Sequence, residues 1–179
     1  MSPPYKYIWK IVAGGMGGVG KTTLLLRYLT HEFVGDTALT IGVNFHTSVV
    51  EQQGEKVTLL LWDLGGQERF RFIQSSYIKG AVAVLLFFDI GRLKTLYELD
   101  DWIKLIRDNT SPAIPILLVG TKLDLEDNDA QAQAKAEALN MVKECNLAGY
   151  VPTSSKSGEN VEEVIHQVIS ILLKKRGLS

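Results

Sequence analysis

The chain is short of several features that mark whole classes of protein. It has one cysteine, Cys145, so no disulfide framework can form within it, and that usage fits a reducing compartment. It lacks an excess of charge of one sign. Lys+Arg 19 against Asp+Glu 20 leave a formal net charge of -1, whereas nucleic-acid-binding domains usually carry a strong basic excess. Its longest unbroken apolar run, Ala81 to Phe88, falls far short of the ~20 residues that span a bilayer. The opening MSPPYKYIWK holds no apolar stretch of the length a secretory signal needs, so no export is expected. His31, His46 and His166 show no paired metal-ligand spacing. Core-forming material, by contrast, is present: 46% of the 179 residues are hydrophobic, far above a disordered chain. The expectation is one soluble, intracellular domain spanning residues 1–179.

Short apolar runs alternate with stretches of helical periodicity, the pattern of an α/β sheet with crossover helices. Strands are expected at Tyr7–Ala13, Asn44–Glu51, Lys56–Asp63, Ala81–Phe88, Ile114–Val119 and Tyr150–Thr153. Gln52-Gln53-Gly54-Glu55 reads as a hairpin connection, which adds one antiparallel pair to a parallel sheet. Helices are expected at Lys21–Thr30, Leu93–Arg107, Ala130–Lys143 and Val161–Lys174, the last with Asn160 as its N-cap. Gln131 to Ala138 is alanine-rich and reads as part of a surface helix. The fold class is α/β, with about six strands, mostly parallel, and five helices.

After the first strand comes Gly15-Met16-Gly17-Gly18-Val19-Gly20-Lys21-Thr22, which fits G-x-x-x-x-G-K-[ST] and opens a helix. Glycines let successive backbone N–H groups curl around phosphate oxygens with no Cβ in the way. The helix N-terminus adds its positive dipole end at the same point. Gly17, Gly18, Val19, Gly20, Lys21, Thr22 and Thr23 are therefore the candidate phosphate cradle. Lys21 supplies a cation for the terminal phosphates, and the Thr22 hydroxyl is placed to ligate Mg²⁺.

A phosphate loop alone does not separate an ATPase or kinase from a GTPase. The distal half of the chain does. Gly120-Thr121-Lys122-Leu123-Asp124 follows the fifth strand, and Thr153-Ser154-Ser155-Lys156 follows the sixth. Loops after parallel strands meet at the ligand edge of an α/β sheet. The Asp124 carboxylate could accept from the ring N–H and exocyclic amine of guanine, whereas adenine would leave it repelled and unpaired. The plain alternative is a solvated loop in which Asp124 caps a helix.

Over nearly its whole length the sequence resembles the Ras superfamily of small GTPases, and most closely its Rab-like branch. The resemblance is carried by GGMGGVGKT, Thr40, WDLGGQE, TKLD and TSSK in that order. The branch is suggested by Thr40-Ile41-Gly42-Val43-Asn44-Phe45, Gln67-Glu68-Arg69-Phe70, Tyr77-Ile78-Lys79-Gly80-Ala81 and Asp89-Ile90. Leu64-Gly65-Gly66 is instead similar to the Arf branch, and Thr121 replaces the usual asparagine, as in Rho proteins.

The resemblance implies a GTP–Mg²⁺ site and two switch segments, Phe33–Val43 and Leu64–Lys79. Phe33 would pack against the guanine, Lys122 would lay its stem along it, and the Ser155 N–H would contact it, beside Ser154 and Lys156. Thr22 and Thr40 would offer hydroxyls to the metal, Asp63 would hold it through water, and the Gly66 N–H would touch the γ-phosphate. Gln67 would orient the attacking water, with Lys21 as the second catalytic residue. Ile41, Phe45, Trp62 and Tyr77 fall at effector-binding positions. Thr121 loses the amide that ties this loop to the base and phosphate loop, so weaker guanine retention is expected.

Partners implied are an exchange factor, effectors and an activating protein that supplies an arginine, since no Arg or Lys occurs between Tyr28 and Glu55. Such a protein is cytoplasmic, peripheral on membranes where it is lipidated, and acts in vesicle traffic or signalling. Rab proteins end in prenylated cysteines, but no cysteine follows Cys145, and Ser2 stands where myristoylation needs glycine. The expectation divides between a trimmed tail and an unanchored prokaryotic or archaeal relative closer to Ras or Arf. A P-loop kinase or ATPase and a non-hydrolysing GTP-binding scaffold are the remaining rivals. Asp124 argues against the first, and Gln67 with Thr40 against the second.

Overall fold

The computed structural model describes residues 6–35 and 37–178. Ser2, Ser179 and Asp36, the last inside the expected first switch segment, lie outside the described residues. The sheet has six strands in the order β2-β3-β1-β4-β5-β6. In chain order these are β1 (Tyr7–Gly14), β2 (Val43–Gln52), β3 (Glu55–Leu64), β4 (Ala83–Asp89), β5 (Ile116–Thr121) and β6 (Gly149–Pro152). Among the described residues only β2 and β3 pair antiparallel. Their connection is the two-residue turn Gln53-Gly54, with φ of 54° and 75°. Both values are positive, as a hairpin matched to strand twist requires.

The helices are α1 (Lys21–Thr30), α2 (Arg71–Ile78), α3 (Lys94–Tyr97), α4 (Leu99–Asn109), α5 (Asn128–Glu144) and α6 (Val161–Lys175). The expected single helix over Leu93–Arg107 is thus a short α3 that steps at Glu98 into α4, and the pair fills one of five helical positions around the sheet. Strand residues divide by parity between the two faces, as period-2 side chains must. Trp9, Ile11, Leu85, Phe87, Leu117 and Val119 meet Leu24, Leu25, Ile165 and Ile169 of α1 and α6. Val12, Val84, Leu86, Phe88, Ile116 and Leu118 meet Leu96, Trp102, Ile106 and Ala138 on the other face. Burial on both faces explains why β4 and β5 read as continuous apolar runs.

The expectation at the start of α6 needs correction. Asn160 stands at the N-cap position of α6 with φ 58° and makes no side-chain cap; its amide donates instead to the Pro152 carbonyl at 2.8 Å. Nor does Asp124 cap a helix. Asp127 does so, accepting from the Ala130 N–H at 2.8 Å. β4 and β5 both begin and end later than expected, so Asp89 and Thr121 close them at the sheet's carboxyl edge. The alanine-rich α5 is a surface helix with Ala134 and Ala138 as its buried contact line. Cys145 follows it, half-buried, its thiol pushed up chiefly by burial. Among the described residues no helix is long and apolar enough to cross a membrane.

Candidate functional site

β1 has β3 on one side and β4 on the other, so the loop after it opens where the strand order reverses, the usual ligand crevice of an open α/β sheet. Gly15, Gly18 and Gly20 in that loop have φ of 133°, 77° and 100°, a region closed to most side chains. A Cβ on Gly15 would also lie 2.4 Å from the Phe87 carbonyl oxygen. Lys21 leads α1, almost fully buried. Its Nζ donates to the Gly15 and Met16 carbonyls at 2.9 and 2.7 Å. Burial pulls its pKa down to about 8, and the Asp63 charge partly restores it.

Beside Lys21, three oxygen-bearing side chains from three elements converge. The hydroxyls of Thr22 and Thr40 lie 2.7 Å apart, and both donate to Asp63 Oδ2. Asp63 is fully buried, its other oxygen Oδ1 has no partner, and burial raises its pKa above the usual carboxylate value. A buried carboxylate short of partners, flanked by two hydroxyls, is a hard oxygen donor set that fits Mg²⁺. Thr23 and Thr37 pair through their hydroxyls at 2.8 Å, a second link from α1 to the loop that follows it.

Gly66 packs so closely on the phosphate loop that a Cβ there would lie 2.2 Å from the Gly15 carbonyl oxygen and 2.3 Å from the Gly17 nitrogen. Gln67 follows at the edge of this crevice, with its side chain over Gly17. Two supports of this segment have no signal in the sequence. The Gly65 N–H donates to the Gly42 carbonyl at 2.7 Å. Gln74 of α2, buried, donates from Nε2 to the Gly65 carbonyl at 2.7 Å.

The second half of the crevice is a recess bounded by Phe33, Thr23, Thr121, Lys122, Asp124, Ser155 and Lys156. Asp124 accepts from Ser154 Oγ at 2.7 Å, so the buried serine aims the exposed carboxylate. The Leu123 N–H donates to the Thr153 carbonyl at 3.0 Å, and the Thr153 N–H to the Gly120 carbonyl at 2.7 Å, locking the loops after β5 and β6 together. Thr121 departs from expectation. Its hydroxyl reaches the Val19 carbonyl, and the Phe88 carbonyl at 3.0 Å, so the tie between this loop and the phosphate loop is made without an amide.

On the sheet's flank Phe45 meets Trp62 edge-on at 5.1 Å between ring centroids, and Trp62 meets Tyr77 at 5.6 Å. Phe45 is half-exposed and Ile41 is 75% exposed, so an apolar patch borders the crevice. The Trp62 indole nitrogen is buried without a partner.

The chain is similar to known proteins over nearly its whole length. The model of the Ras family matches residues 10–174. The chain is 33% identical over 177 residues to Ras-related protein Rab-13 of Canis lupus familiaris, covering 99% of this chain and 86% of that protein. It is 37% identical over 182 residues to Ras-related protein RABA1b of Arabidopsis thaliana, covering 96% and 80%. Ras-related protein RIC2 of Oryza sativa subsp. japonica is 37% identical over 181 residues, with 96% and 79% covered.

Proposed function

Because the chain belongs to the Ras family and is a Rab-like small GTPase, we propose that it is a switch set by the terminal phosphate of a bound guanine nucleotide. The observation that carries this reading is the meeting of Thr22, Thr40 and Asp63. It links the phosphate loop to the segment before β2 and to the end of β3 through one cluster of oxygens. Bound Mg²⁺ would be held by these three residues and would neutralise charge on the phosphates. Lys21 adds a second positive charge, and the N–H groups of Gly17 to Thr22 supply the cradle. Phe33, Lys122 and Ser155 enclose the base, while Asp124, aimed by Ser154, accepts from both guanine donors.

Hydrolysis is attack of water on the γ-phosphorus, with release of the GDP oxygen. Gln67 orients that water, and the Gly66 N–H holds a γ-oxygen. Loss of the γ-phosphate leaves Thr40 and Gly66 without their common partner, so both segments relax. The first switch segment holds no arginine to serve as a finger of its own, and Gly17 presents no side chain to obstruct one from outside. Intrinsic turnover is therefore slow, and an activating protein that donates an arginine accelerates it by about 10³–10⁵. An exchange factor reloads the site. Effectors dock on Ile41, Phe45, Trp62 and Tyr77 in the GTP state, and a role in membrane traffic follows the Rab-like relatives.

The test is the nucleotide released on denaturing the purified protein, followed by single-turnover GTP hydrolysis. GDP and slow hydrolysis that stops on removal of Mg²⁺ are expected. Release of ADP, or fast turnover by the isolated protein, overturns the reading.

A further inference from the structure

A charge cluster joins the phosphate loop to the ends of β4 and β5; Lys122, which also bounds the base recess, is shared with it, and Asp89 and Arg92 complete it. Asp89, buried at the end of β4, accepts on one oxygen from two cations: Arg92 Nε at 3.0 Å and Lys122 Nζ at 2.9 Å. Its other oxygen accepts from the Gly91 N–H at 2.9 Å, so the carboxylate is fixed on both sides. The same two cations then share a second acceptor. Arg92 Nη2 donates to the Gly18 carbonyl at 3.2 Å and Lys122 Nζ at 3.1 Å.

That carbonyl has leverage on the phosphate cradle. A peptide unit is planar and trans, so its C=O and the next residue's N–H point in opposite directions. Drawing the Gly18 oxygen outward turns the Val19 N–H toward the interior of the loop. Gly18 has φ 77°, and a glycine in that region is free to rotate away unless something holds it. Arginine suits the task because its rigid fork spans Asp89 and Gly18 at once, whereas the Lys122 ammonium sits on a flexible stem.

We propose that Arg92 is a positioning residue for nucleotide retention: braced on Asp89, it holds the Gly18 carbonyl outward, orients the Val19 N–H toward the diphosphate, and slows release. The inference rests on reading the loop as a guanine-nucleotide site. Its experiment is displacement of a fluorescent GDP by excess unlabelled GDP from the full chain. Arg92→Ala should release it about three- to tenfold faster at low ionic strength, the range for a partly exposed charge-assisted bond. Arg92→Lys should fall between, since one ammonium on a flexible stem replaces two donors fixed on a rigid fork. Raising KCl should speed the unaltered protein toward the variant and change the variant less, since only the Lys122 pair with Asp89 is left in it to be screened. Asp89→Asn should also speed release, and adding Arg92→Ala to it should change little, because the arginine acts through that carboxylate. Equal release by the unaltered protein and Arg92→Ala at every salt concentration, or fully additive effects of the two substitutions, overturns the proposal and leaves the GTPase reading standing. Failure of the unaltered protein to bind the fluorescent GDP overturns both.

Discussion

The two halves of the crevice are held in different ways. On the base side, the loops after β5 and β6 are bonded to each other and to the phosphate loop. Backbone pairs run from Leu123 to Thr153 and from Thr153 to Gly120, Ser154 aims Asp124, and Thr121 reaches Val19. On the switch side, the segment from Thr37 to Thr40 is tied through two hydroxyl pairs, to Thr23 and to Thr22. One wall is fastened to the sheet's carboxyl edge. The other is fastened mainly to groups that would themselves serve the phosphates and metal, so its position answers to what is bound. The base can thus be read by a fixed surface while the state of the phosphate is reported by a movable one.

The largest effect should come from cutting the fixed wall's reading group. Asp124→Ala should weaken guanine-nucleotide binding by roughly 10²- to 10⁴-fold, as two hydrogen bonds to a charged acceptor are lost, with little change for adenine nucleotides. Competition titration against fluorescent GDP measures it. On the movable wall, Gln67→Leu should still bind GTP yet hydrolyse it on the order of 100-fold more slowly, the cost of a misplaced water; single-turnover kinetics check this. Thr22→Asn should lose Mg²⁺-dependent GTP binding more than GDP binding, measured by titration with and without chelator, and equal affinities in every arm count against it. Ser154→Ala sharpens the contrast within the fixed wall. It leaves Asp124 in place but unaimed, and should cost about three- to tenfold in GDP affinity.

The smallest effect is one of pH. Burial pushes the Asp89 carboxyl up, but the hydrogen bonds from Lys122 and Arg92 outweigh it and hold the group below the usual carboxylate value. A carboxylate depressed on folding stabilises above its unfolded pKa, about 3.9, and loses that contribution as pH falls through the lower folded value. The melting temperatures of the unaltered protein and Asp89→Asn should differ steadily near neutrality and converge under acid. A gap that persists unchanged under acid removes the charge from the explanation.

What could be read from the sequence follows from how local each signal is. The phosphate loop is contiguous, with glycines and Lys21 in one window, and the β2–β3 turn is spelled by Gln53-Gly54. Asp124 and Ser154 were readable as loop residues, but their hydrogen bond joins positions 30 residues apart and needs the sheet to form first. Arg92 and Gln74 carried no such signal. Arg92 looks like any exposed arginine until β4 brings Asp89 to Gly18, and Gln74 looks like a polar helix residue until α2 buries it against Gly65. Thr121 was read by what it lacks, and only packing revealed what its hydroxyl reaches. Asn160 misled because its amide has two possible partners, helix N–H groups for its oxygen and a strand-end carbonyl for its nitrogen, and geometry chose the strand.

The hairpin of β2 and β3 has a mechanical consequence. Its closed end is pinned to α6, where Gln52 Nε2 donates to the His166 carbonyl at 3.1 Å and to Ser170 Oγ at 2.6 Å. Its open end pairs Val43 with Leu64, one residue inside the Gly42–Gly65 bond. Both switch segments are therefore the free tips of a single clamped fork. A displacement of one tip strains the other through ten residue pairs, so the two must report the same event together.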